Sequence, residues 1–158
     1  MMLAIIRNIL VLSLLFGAGC GFKILNKNEL NNFNISKITT SGDKRINFKI
    51  KNNLISRSQI NKDNNIILKI FTQKNKTIKE KNIKNEITKY NIDLNTVIEF
   101  NVINQEKKFK FNIKISGYYL VANNHSATLS NEKSLVNSLV EDLSEKILNE
   151  ISFILNDI

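Results

Sequence analysis

Among the residues of this sequence that could do chemistry, Cys20 has the most informative surroundings. It is the only cysteine in the chain, it follows three small residues at 17–19, and before them runs an apolar stretch from Ile9 to Phe16. Small residues let an extended backbone enter a peptidase groove, and a cysteine directly after the cut offers its thiol for alkylation by a lipid. This order of parts predicts a cleaved signal peptide over residues 1–19 and a lipid on Cys20. The apolar stretch is shorter than the roughly 20 residues that a membrane-spanning helix requires.

A second group of reactive side chains consists of lysines in an apolar segment. Lys108, Lys110 and Lys114 alternate with the apolar residues at 109, 111 and 113. On a strand these lysines would share one face, since side chains point alternately to opposite sides. That face could bind the phosphates of a ligand, or it could be a solvated surface whose lysines protect an exposed strand. Because lysine and asparagine are abundant throughout the chain, the residues alone favour the solvated surface.

The remaining candidates do not form a catalytic group. His125 is the only histidine, and no Gly-x-Ser-x-Gly motif or phosphate-binding glycine-rich loop occurs. His125 is predicted to be an exposed loop residue, and the acids Glu141, Asp142 and Glu145 to lie on a solvated helix face. The sequence therefore predicts a protein that is not an enzyme and that uses no metal and no cofactor.

Length, charge and composition narrow the class of protein. The 158 residues are enough for one domain with one core, and 42% hydrophobic and 23% charged residues are typical of a folded chain. The net charge is +9, which attracts phosphate-rich partners such as nucleic acid, anionic lipid or lipopolysaccharide. An exported protein does not normally meet nucleic acid, so anionic lipid is the better candidate. A single cysteine also excludes an internal disulfide.

The apolar pattern then predicts the elements that must position these residues. Residues 20–32 are predicted to be a lipidated tether, and residues 33–158 a single domain that begins with a strand over 33–40. In the next segment Ile46, Phe48 and Ile50 alternate as in a strand, whereas Ile46, Ile50 and Leu54 are spaced as in a helix. We favour a helix over 44–57. A strand follows at 66–71, and the lysine-rich stretch 73–89 fits either a long strand or a loop.

Two further elements have clearer patterns. Alternating residues at 92–102 and 109–115 predict a β-hairpin, and from Ser130, a possible N-cap, an apolar stripe of helical period runs to the end of the chain. The order strand, helix, three strands, helix predicts an α+β two-layer sandwich. Its sheet would have four mostly antiparallel strands, with both helices packed on one face.

Three segments of this sequence resemble a known family. Cys20-Gly21-Phe22 is similar to the mature start of the LPS-assembly lipoprotein (LptE) family, and the segments 116–121 and 127–132, SGYYLV and ATLSNE, resemble the stretch that leads into its last helix. The predicted order of elements also matches that family across nearly the whole mature chain. The residue after Cys20 is Gly21 and not Asp, and in this respect the sequence resembles lipoproteins that are sorted to the outer membrane.

The resemblance implies a function in the outer membrane. It implies a lipoprotein on the periplasmic side that is seated in an LptD-type β-barrel and binds lipopolysaccharide, which the barrel delivers to the outer leaflet. Lys108, Lys110 and Lys114 are the candidate ligand-binding residues on strand geometry alone. The alternative is a structural envelope lipoprotein that binds protein partners and no lipid ligand.

Overall fold

The computed structural model describes residues 33–57, 64–103 and 105–157. In this part of the chain four strands and two helices follow one another as β1 (Phe33–Gly42), α1 (Lys44–Arg57), β2 (Asn64–Lys81), β3 (Ile87–Val102), β4 (Lys108–Leu120) and α2 (His125–Asn156). The order of elements is the predicted one. The predicted signal peptide and the whole predicted tether, with Cys20, lie outside the described residues.

The four strands form one mixed sheet in the order β1-β2-β3-β4. β1 and β2 are parallel. α1 connects them and returns the chain to the end of the sheet at which β1 begins. β2 pairs with β3, and β3 with β4, in antiparallel hairpins. Since both helices pack against this sheet, the predicted α+β two-layer architecture is confirmed.

α1 has the predicted bounds, and its burial explains why the helix replaces the strand pattern. Ile46, Ile50 and Leu54 are buried in the core, whereas Phe48 is 66% exposed. A strand would have placed Phe48 on the same face as Ile46 and Ile50. Asp43 caps the helix, since its Oδ1 accepts hydrogen bonds from the backbone N–H groups of Arg45 and Ile46, each at 3.0 Å.

The core lies between the helices and one face of the sheet. The buried apolar residues of β2 and β3 have even numbers, from Ile66 to Ile70 and from Ile92 to Val102. Those of α2 recur at helical spacing from Val136 to Ile151. The buried hydrophobic residues among those described form one cluster, which extends from Phe33 in β1 to Ile151 in α2. All six elements therefore share one core.

The lysine-rich stretch 73–89 contains strand and turn. β2 continues to Lys81, a turn follows at 82–86, and β3 begins at Ile87. Ile78 pairs with Tyr90 across the hairpin, and the residues from Asn75 to Glu86 are exposed. The two strands therefore extend well past Gly42, where β1 ends. The alternation is weak over 75–86 because the side chains on both faces of the hairpin are exposed there.

The start of α2 differs from the prediction. The helix begins at His125, and its N-cap is Asn124, whose side chain accepts a 2.7 Å hydrogen bond from Ala127 N. Ser130 is therefore an exposed residue within the helix, and the prediction that it caps the helix was wrong. The apolar stripe is not visible in the first turns because they lie beyond the core, beside the hairpin. His125 is exposed, as predicted, but it is the first helical residue and not part of a loop.

Candidate functional site

The three predicted lysines lie on the outer face of the sheet, opposite the helices. Lys108, Lys110 and Lys114 are all exposed, and the side chains between them, at 109, 111 and 113, pack toward the core. Across β3 they pair with Asn101, Glu99 and Asn95 respectively. The predicted division of β4 into a basic face and an apolar face is therefore correct, while ligand binding by these lysines stays a prediction.

The fold adds a fourth lysine that the sequence did not assign to this face. Lys69 of β2 pairs with Glu99, which pairs in turn with Lys110. Lys110 Nζ lies 2.8 Å from Glu99 Oε1, and this contact lowers the pKa of the Glu99 carboxyl. Lys69, Lys108 and Lys110 line one shallow depression of about 310 Å³, whereas Lys114 lies outside it. The depression thus combines three ammonium groups with one carboxylate.

A second polar cluster joins α2 to the sheet on the opposite face. Glu132 Oε1 lies 2.8 Å from Lys74 Nζ, and its Oε2 lies 2.8 Å from Lys76 Nζ and accepts a 2.9 Å hydrogen bond from the Tyr119 hydroxyl. Lys76 Nζ also lies 4.4 Å from the centre of the Tyr90 ring, which stacks on Tyr119. One carboxylate therefore fixes the first turns of α2 to the extension of β2 and to β4.

The environment of Glu132 stabilises its ionised form. Burial by itself would raise the pKa of this carboxyl, but hydrogen bonds from Lys74, Lys76 and Tyr119 lower it to about 2. Burial in turn raises the pKa of the Tyr119 hydroxyl, against the effect of Lys76. The cluster borders a cleft of about 340 Å³ that Leu129 and His125 also line. Because Lys74 and Lys76 are already paired with Glu132, this polar cluster serves to hold α2 against the sheet.

The turn between β2 and β3 presents an exposed apolar side chain on an ordered backbone. Asn82 Oδ1 accepts hydrogen bonds from the backbone N–H groups of Lys84 and Glu86, each at 3.0 Å. Asn85 adopts a φ of 64°, in the left-handed region that asparagine tolerates. Ile83 at the tip is fully exposed. No pattern in the sequence indicates this feature, because a single isoleucine among lysines forms no periodic repeat.

The described part of the chain shows neither a metal cluster nor a membrane-spanning helix. No group of three or more His, Cys, Asp or Glu side chains there could hold a metal ion. Neither of the two helices in that part is long and apolar enough to cross a membrane. Cys20, the predicted lipidation site, lies outside the described residues.

The fold is shared with solved structures of bacterial lipoproteins. Rare lipoprotein B of Shewanella oneidensis matches 77% of this chain and 97% of its own, with a TM-score of 0.59 and 13% identity. Lipoprotein B of Nitrosomonas europaea matches 86% of this chain and 93% of its own, with a TM-score of 0.61 and 15% identity. No protein-family model and no curated protein sequence matches the chain. At these identities the likeness shows a common fold.

Proposed function

We propose that this chain is an outer-membrane lipoprotein that binds lipopolysaccharide and is seated in an LptD-type β-barrel, where it assists the insertion of lipopolysaccharide into the outer leaflet. The observation that carries the proposal is a fold shared over more than nine tenths of the length of two lipoprotein B structures. The signal-peptide pattern that ends at Cys20 supports the same compartment. The work proposed is binding, without bond formation.

The basic outer face of the sheet supplies the proposed contact with lipopolysaccharide. Lys108, Lys110 and Lys114 project from a strand that the core holds rigid, and Lys69 lies beside two of them. Ammonium groups at fixed positions can pair with the phosphates of lipid A and displace the divalent ions that bridge neighbouring molecules. Glu99 forms an ion pair with Lys110 and so neutralises part of this charge. Lys69, Lys108 and Lys114 therefore contribute more to the proposed contact.

The lipid anchor is tested by labelling cells with a fatty-acid probe. We expect label on the wild-type protein and none on Cys20→Ala, because the thiol of Cys20 is the proposed attachment point. An unlabelled wild-type protein would contradict the anchor.

Ligand and partner are tested separately. The triple variant Lys108→Gln, Lys110→Gln, Lys114→Gln should bind lipopolysaccharide about tenfold more weakly, since three exposed charge contacts of about 0.5 kcal/mol each sum to about 1.5 kcal/mol. Unchanged binding would remove these lysines from the proposal.

A tagged protein purified from solubilised outer membranes should bring an LptD-type barrel with it. Recovery of other envelope proteins without a barrel would favour the structural lipoprotein instead.

A further inference from the structure

The outward face of α1 has an unusual composition for a solvent-exposed helix. Phe48 is 66% exposed and Ile55 is 51% exposed, and both point away from the buried stripe of Ile46, Ile50 and Leu54. At 100° per residue, Lys44 and Lys51 lie on one side of Phe48 and Ile55, and Arg45 lies on the other. We call the five residues Lys44, Arg45, Phe48, Lys51 and Ile55 the α1 surface.

The charge of α1 has a single sign. The helix has five basic residues and no acidic residue. Asp43 directly precedes it, but its carboxylate accepts the backbone N–H groups of the first turn. Within the described residues, Lys44, Arg45 and Lys51 form no ion pair, in contrast to Lys74, Lys76, Lys89 and Lys110. The α1 surface therefore combines uncompensated cations with an exposed aromatic ring.

The neighbouring helix has the opposite charge. α2 carries five acidic residues and two lysines, so the basic character of the helical layer is confined to α1. A phosphate-rich surface would attract α1 and repel α2, and this would orient the domain. A ring and an aliphatic side chain between the cations add apolar area that a solvated helix face does not need.

We propose that the α1 surface binds the anionic headgroups of a lipid bilayer, with Phe48 and Ile55 entering the headgroup boundary. Binding of this kind gains from buried apolar area and from about 1 kcal/mol per basic residue close to an anionic surface. This binding goes beyond the proposed function, because it depends on the cations and apolar side chains of α1 and needs neither lipopolysaccharide nor a barrel.

The geometry of the chain agrees with a lipid anchor at Cys20. Twelve residues lie between Cys20 and Phe33, so the two Cα atoms can be at most about 45 Å apart when this stretch is fully extended. α1 returns along β1, since β1 and β2 are parallel, and its last residue lies toward the end of the sheet at which Phe33 begins. An anchored domain that is not yet seated in a barrel can therefore lay α1 on the bilayer that holds its lipid.

The test uses unlipidated residues 21–158, which keep every buried hydrophobic residue of the described core. Vesicles of phosphatidylcholine mixed with an equal part of phosphatidylglycerol should sediment the protein, and pure phosphatidylcholine vesicles should not. The triple variant Lys44→Gln, Arg45→Gln, Lys51→Gln should lower the partition coefficient at least about tenfold. The charge-matched control is Lys37→Gln, Lys133→Gln, Lys146→Gln, at three exposed lysines outside α1 and outside the proposed lipopolysaccharide contact, and it should retain most of the binding.

A second pair of variants separates the apolar contact from net charge. Phe48→Ser should weaken vesicle binding about fivefold, whereas Phe153→Ser should leave it unchanged, because Phe153 is 69% exposed on the acidic helix. Circular dichroism checks that each variant is folded. The proposal is overturned if the wild-type chain ignores anionic vesicles, or if both triple variants lose binding equally. Neither result would alter the tests of lipopolysaccharide binding or barrel association.

Discussion

At the scale of single residues, two glycines of the sheet, Gly42 in β1 and Gly117 in β4, differ in how much an added methyl group would disturb their surroundings. Gly42 has a φ of +92°, and a Cβ there would lie 2.1 Å from the backbone oxygen of Thr72. Gly117 has ordinary backbone geometry, and a Cβ there would meet Leu135 Cδ1 at 2.7 Å. The first contact is with backbone that the β1–β2 pairing fixes, and the second is with the end of a flexible side chain.

Gly42→Ala should therefore destabilise the domain by about 3 kcal/mol or more, and Gly117→Ala by about 1 kcal/mol. Urea denaturation followed by circular dichroism measures both free energies of unfolding. Equal losses for the two variants would show that the left-handed backbone at Gly42 has no energetic consequence.

Glu132 is the residue whose protonation should matter most for stability. The pKa of its carboxyl is about 2 in the fold against an ordinary 4.5. A lowered pKa means that the unfolded state binds the proton more readily, so the stabilisation is fully present above about pH 4.5 and is lost as the pH falls toward 2. This difference in pKa corresponds to at most roughly 3 kcal/mol in the free energy of unfolding, and screening by solvent reduces that value.

Glu132→Gln should accordingly lower the free energy of unfolding at neutral pH by about 2 kcal/mol and reduce its decline below about pH 4.5. Glu141→Gln is the matched control, because Glu141 is an exposed acid on the same helix. Urea denaturation at several pH values measures the effect. A decline of the same size in Glu132→Gln and in the wild-type protein would mean that other carboxyl groups cause it.

At the scale of elements, the β2–β3 hairpin is notable for how far it extends beyond the helical layer. Lys79 Nζ lies 3.9 Å from the centre of the Tyr118 ring, and Lys89 pairs with Glu80. These contacts are exposed, and exposed ion pairs contribute less than about 1 kcal/mol. The part of the hairpin beyond Ile78 and Tyr90 is therefore held by its backbone ladder and contributes little to the stability of the core. Its ordered tip places Ile83 where a partner can reach it.

Residues 79–89 contribute no side chain to the buried core, and their backbone contact with the end of β4 is the pairing of Thr88 and Lys89 with Val121 and Leu120. Ile78 and Tyr90 are directly paired, so an Asn-Gly turn between them would close a tight hairpin. We expect this shortened protein to unfold within about 1 kcal/mol of the wild type, and to co-purify less LptD-type barrel if the exposed tip contacts it. A large loss of stability would show that the distal hairpin supports the core after all.

At the scale of the whole molecule, one core should mean one unfolding transition. The buried hydrophobic residues described form a single cluster from Phe33 to Ile151, and domains of this size commonly unfold in a cooperative step. The fragment 33–158 should therefore show coincident urea transitions by far-ultraviolet circular dichroism and by tyrosine fluorescence. Transitions that separate would indicate that the α2 layer and the sheet unfold independently.

Much of this architecture could be predicted from alternation and helical spacing. Both patterns are strong wherever an element buries one face, as for Ile46, Ile50 and Leu54 in α1 and for the hairpin of β3 and β4. The prediction failed or stayed open where no face is buried. That happened at Ser130, which lies in the exposed first turns of α2, and in the stretch 73–89.

The sequence by itself determined the signal-peptide pattern around Cys20, the helix–strand order and the division of β4 into basic and apolar faces, because each depends on residues close together in the chain. Only the tertiary structure decided which charges meet. Lys69, Glu99 and Lys110 are brought together by strand register, and Lys74, Lys76, Tyr119 and Glu132 by the packing of α2 over the sheet. Contacts between residues far apart in sequence leave no local pattern, so no periodicity could have indicated them.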